Sequence, residues 1–62
     1  MTDLEEHILQ NGIALEGCAR GFTRNFQRAH DEQAEKCLYQ AKKILDELMV
    51  DWDSFRRNNE HS

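Results

Sequence analysis

A heptad stripe in the C-terminal half constrains this chain more than any other feature. Ala34, Leu38, Ala41, Leu45, Leu48, Trp52 and Phe55 recur at alternating steps of four and three, which puts them on one side of a single helix. A helix so patterned needs a neighbour, because the stripe gains free energy only by leaving water. In a chain of 62 residues the nearest neighbour is its own other half.

That other half carries a second, less regular stripe. Thr2 followed by Glu5 has the spacing of a capping box, and Asp3, Glu5 and Glu6 put negative charge where a helix N-terminus favours it. Met1, Leu4, Ile8, Leu15, Phe22 and Ala29 then follow one heptad phase, with Asn11, Cys18 and Asn25 in its remaining core positions. Leu9, Ala19 and Phe26 lie beside the stripe and broaden it. Gly12 has two readings: a left-handed C-cap that splits the arm, or a glycine inside one long helix that costs about 1 kcal/mol relative to alanine. The stripe keeps its phase across Gly12, which favours a continuous or merely kinked helix. On that reading Gly12, Gly17 and Gly21 are tolerated because a neighbouring backbone comes close.

The turn falls near Ala29 to Glu32, where His30 and Asp31 interrupt the pattern and Asp31 can cap a new helix. The second helix runs to about Arg57, with Arg56 and Arg57 complementing its negative end. Asn58 to Ser62 reads as a frayed polar tail. The expected fold is all-α, a single domain over residues 1–62 formed as a hairpin of two antiparallel helices, each about 40 Å long at 1.5 Å per residue.

Two helices alone cover only part of each stripe, leaving Leu4, Ile8, Met49, Trp52 and Phe55 at the open end. A chain this short buries only about 60% of its unfolded surface, so its core needs a supplement. Pairing of two hairpins into a homodimeric four-helix bundle supplies one. In length, helicity and heptads the chain resembles the Rop-type family of small plasmid-encoded helical-hairpin dimers. That resemblance implies a dimeric bundle and RNA binding.

The net charge of −4 argues against nucleic-acid or anionic-membrane binding by the whole surface, while leaving room for a local basic patch. One such patch is legible. Arg20, Arg24 and Arg28 are spaced by four and form a basic stripe, with Phe22 and Phe26 running parallel to it. Such a pattern grips RNA by phosphate contact and stacking, or meets an acidic protein, or is simply a face solvated by water or salt-bridged to Glu32 and Glu35 of the returning helix. Lys36, Lys42 and Lys43 extend the zone along the second helix.

Chemistry-bearing constellations are missing from the sequence. Cys18 and Cys37 do not form a CxxC pair and read as small buried thiols, reduced in a cytoplasmic protein. His7, His30 and His61 belong to no HExxH or Glu-x-x-His motif, and Asp3 with His7 reads as an exposed pair. No nucleophile has a visible base. The chain is therefore expected to be no enzyme and to need no metal or cofactor. It lacks an apolar run of the ~18 residues a membrane span needs, and with no charged n-region its N-terminus reads as mature.

Acidic residues gather at the open end, where Asp3, Glu5 and Glu6 approach Asp46, Glu47, Asp51 and Asp53 around Trp52 and Phe55. An aromatic anchor ringed by charge is the usual anatomy of a protein interface. Met49, Asp51, Trp52, Asp53 and Phe55 are the candidate partner-binding residues. The expected function is a small regulatory adaptor or inhibitor that acts on a host or complex protein, of the size that phages and mobile elements encode. The alternatives are a Rop-like RNA-binding dimer using the arginine stripe, a structural subunit of a larger assembly, and an acidic mimic of nucleic acid.

Overall fold

The computed structural model describes residues 2–60, and their side chains as far as residue 58. Met1, expected in the first stripe, and His61 and Ser62 of the expected tail lie outside the described residues. Two helices account for the fold: α1, Asp3–Gln27, and α2, Asp31–Glu60. The described residues include no strand.

The start of α1 follows the capping expectation. Thr2 is extended, and its Oγ1 accepts a hydrogen bond from the Glu5 backbone N–H at 3.1 Å. The helix continues through Gly12, and no glycine adopts positive φ. One unbroken arm is therefore the correct reading of the two. The left-handed cap occurs instead at Ala29, with φ 60°. Around it the His30 N–H donates to Asn25 O at 2.8 Å and the Ala29 N–H to Phe26 O at 3.1 Å. That pair of bonds is the Schellman motif, which satisfies the last carbonyls of α1 and reverses the chain. It is built here on an alanine, where glycine is the usual choice.

Asp31, expected to cap α2, is its first helical residue, and the capping carbonyl belongs to His30, which accepts from Ala34 N–H at 3.0 Å. The difference is one position, within the ordinary spread of helix ends. The far end of α2 passes Arg57 and reaches Glu60. An i,i+4 ion pair of Arg57 with Asp53, at 2.9 Å, spans that last stretch.

The arms pack antiparallel, with His7 beside Asp51 at the open end and Asn25 beside Cys37 near the turn. The molecule measures 49 × 18 × 13 Å. Its thinnest dimension is about one helix diameter, so the hairpin is a single layer. A single layer has a seam but no enclosed core, and Ala34, 4% exposed, is accordingly the one buried hydrophobic side chain among the described residues.

Which residues occupy the seam departs from expectation on α2. On α1 the less exposed positions include Leu4, Ile8, Asn11, Leu15, Cys18, Phe22 and Asn25, following the expected heptad with its polar members included, and Glu5, Gly12 and Gly21 flank them. On α2 they are Ala34, Cys37, Ala41, Ile44, Leu48, Asp51 and Phe55. Leu38, Leu45 and Trp52 of the expected stripe stand out of the seam, 52, 44 and 51% exposed, and Cys37, Ile44 and Asp51 take their levels. With 100° per residue, the apolar stripe is rotated about 50° from the direction of α1. The stripe points between α1 and an uncovered side of the hairpin.

The glycines also need a different account. No neighbouring atom lies within 4 Å of where a Cβ would sit on Gly12 or Gly17. At Gly21 that atom would lie 3.1 Å from Cys37 Sγ, a side chain and not the expected backbone. Of the three, only Gly21 is crowded by a neighbour within the hairpin.

Candidate functional site

The rotation of the α2 stripe creates a one-sided apolar face. Leu38, Leu45 and Trp52 follow one another at seven-residue steps on α2, with Met49 beside them. The antiparallel register brings Ile8 and Leu9 of α1 alongside. Two shallow clefts record the adjacency. One, of about 290 Å³, is lined by Ile8, Leu45, Leu48, Met49 and Trp52. The other, of about 270 Å³, is lined by Glu5, Ile8, Leu9, Trp52 and Phe55. Trp52 belongs to both, and it stacks on Phe55 with centroids 5.6 Å apart. Such offset aromatic pairs are worth about 0.5–1.5 kcal/mol beyond the area they bury, so the two rings hold one another in place at the open end.

The five candidate partner-binding residues therefore separate. Met49, Trp52 and Phe55 line the apolar face. Asp53 is exposed and held by Arg57. Asp51 turns inward: its carboxylate is 17% exposed and accepts from His7 Nδ1 at 2.5 Å and from Asn11 Nδ2 at 3.3 Å. A carboxylate can only accept, so Nδ1 is the protonated ring nitrogen here. His7 thus pairs across the hairpin with Asp51, not along α1 with Asp3. This polar cluster satisfies Asp51 inside the seam and leaves Trp52, the next residue, to face outward.

Among the described residues the arginine stripe lacks the salt bridges to the returning helix, one of the expected arrangements. Arg20, Arg24 and Arg28 are exposed, and among the described residues none forms an ion pair with Glu32, Glu35 or any other acid. They border a shallow groove with Ala19, Thr23 and Gln27. Phe22 and Phe26 stack at 5.8 Å, but Phe22 is turned into the seam while Phe26 is 66% exposed. Half of the aromatic accompaniment is spent on packing.

Both thiols are free and half-buried. Cys37 Sγ fills the gap over Gly21 and lies 3.9 Å from Asn25 Nδ2. Among the described residues no three His, Cys, Asp or Glu side chains converge as a metal would require. No described helix is long and apolar enough to cross a membrane. No family model matches the chain, no curated protein matches it, and no solved structure matches it.

Proposed function

We propose that this chain is a small non-catalytic regulatory adaptor or inhibitor, acting by protein–protein contact as a homodimeric four-helix bundle. The observation that carries the reading is the one-sided face itself. Leu9, Leu38, Leu45, Met49 and Trp52 are each between 44 and 63% exposed on a layer one helix thick. Water-exposed apolar side chains gathered on one side mark an association surface. The surface divides along its length. Its middle, around Leu38 and Leu45, serves the second hairpin. Its open end, where Trp52 stacks on Phe55 beside Leu9 and acidic Glu5, serves the regulated protein, in a reduced cytoplasmic setting.

The test is capture from the native host followed by mass spectrometry, with and without nuclease. One protein should be retained in both samples by the parent chain and lost with Trp52→Ala, while the far-ultraviolet spectrum stays helical. Undiminished capture by Trp52→Ala would rule the open end out.

A second reading has one observation in its favour. Among the described residues Arg20, Arg24 and Arg28 are exposed and form no ion pair, which leaves their charge open to phosphate. In that reading the dimer binds RNA through this stripe, as the resemblance to Rop-type proteins implies, with affinity falling steeply as salt rises. Equal RNA affinity in parent and Arg24→Ala/Arg28→Ala chains would dispose of it.

A further inference from the structure

We infer that Gly12 and Ala19 form a recess on α1 that receives Leu45 of a second copy of this chain. The inference rests on the bundle reading above and names its point of closest approach.

Surface area argues that something covers the face. The hairpin exposes 5231 Å², whereas a compact monomer of 7.3 kDa exposes roughly 4,200 Å². The excess, about 1,000 Å², is close to the ~800 Å² that each partner contributes to a standard interface. One further layer on this side removes it.

Shape argues that the cover is the same chain. Gly12 lies four residues after Ile8 and three after Leu9, on the strip of α1 that borders the apolar face. Ala19 follows on that strip one heptad later. On the α2 side the corresponding levels hold Leu38, Leu45 and Trp52. One edge of the face is therefore low and the other high. An isologous twofold pairing puts the same patch on both copies, so the knob of each meets the recess of the other.

Gly12 supplies an independent reason. A mid-helix glycine costs about 1 kcal/mol against alanine, and nothing inside the hairpin needs it, since a Cβ there would touch no atom within 4 Å. Gly17 is equally free of neighbours within the hairpin but lies on the other side of α1. It is the natural control.

The experiment is sedimentation equilibrium over a range of concentrations on the parent, Gly12→Leu, Gly17→Leu and the double variant Gly12→Leu/Leu45→Ala, with circular dichroism on each. The parent should dimerise. Gly12→Leu should weaken the dimer about a hundredfold, the tenfold order usual for one overpacked side chain taken twice because the isologous pairing repeats the contact, and Gly17→Leu should leave it unchanged. The double variant exchanges volume between knob and recess and should recover most of the loss. A parent that stays monomeric would remove the bundle reading and this inference together. A dimeric parent with equally tight Gly12→Leu, or a double variant no tighter than Gly12→Leu alone, would overturn the inference and leave the bundle standing. Should Gly12→Leu fail to fold, the double variant alone decides, dimerising near the parent's affinity if the recess is real.

Discussion

His7 Nδ1 lies 2.5 Å from Asp51 Oδ2, a bond that closes the open end of the hairpin between residues 44 positions apart. Asn11 Nδ2 reaches the same oxygen at 3.3 Å. A charged group in a largely apolar seam tolerates only the register that satisfies it, which is how polar residues align paired helices. A slip of either helix by one heptad would separate Asp51 from both donors.

Removing that carboxylate should cost measurable stability. Asp51→Ala is expected to destabilise the protein by about 1 kcal/mol through the lost hydrogen bonds. Asp53→Ala, which breaks only an exposed i,i+4 pair with Arg57, should change stability by less than about 0.5 kcal/mol. Urea unfolding at one fixed chain concentration compares them, and equal losses would mean the seam position of Asp51 is immaterial.

The glycines of α1 should respond to alanine in different ways. Gly17→Ala fills open space and should gain about 1 kcal/mol of helix stability. Gly21→Ala sets a Cβ 3.1 Å from Cys37 Sγ, so its gain should be smaller or reversed. In a Cys37→Ala background the Gly21→Ala gain should recover. Thermal unfolding of the four chains forms a double-mutant cycle, and a coupling of zero would contradict the contact.

Ala29 pays for its left-handed φ of 60°, a conformation that costs an L-residue on the order of 1 kcal/mol. Ala29→Gly should therefore raise stability by about 0.5–1 kcal/mol, reduced somewhat by the freer unfolded chain. A melting temperature that falls would show that the turn depends on the alanine side chain.

Leu45→Asp should disrupt association, while Tyr39→Asp should not, although Tyr39 is the more exposed of the two at 67% against 44%. The difference lies in the side of α2 each occupies: Leu45 stands on the apolar face, and Tyr39 is one residue further round than Leu38. Sedimentation of the two variants separates them, and matching behaviour would remove the special status of the face.

Much of this fold was legible in the sequence because its rules are local. Thr2 capping Glu5 and the unbroken phase across Gly12 depend on residues a few positions apart. The seam of α2 was less legible. Asp51 reads as solvent-facing in isolation, and only His7 and Asn11, brought over by the other arm, make its inward position affordable. With Asp51 counted as polar, the heptad period runs through Trp52 instead, and it includes Leu38, Leu45 and Trp52, which stand out of the seam. The Schellman turn is illegible for a similar reason: glycine is the usual left-handed residue, while the backbone here reverses at Ala29. For the site, the clustering of Met49, Trp52 and Phe55 was visible in their spacing. Whether arginines find acidic neighbours depends on side-chain reach across two helices, which spacing does not encode.

That Ala34 is the one buried hydrophobic side chain among the described residues has a further meaning for the proposed pairing. So small a buried core, bordered only by half-buried side chains, leaves the dimer proposed above to supply much of the stability, and the folded fraction of such a dimer is governed by mass action. Under that proposal dilution acts as a denaturant, and the amount of chain present sets both how much is folded and how long it survives proteolysis. If the chain is the regulator proposed above, its synthesis rate is itself a control of activity.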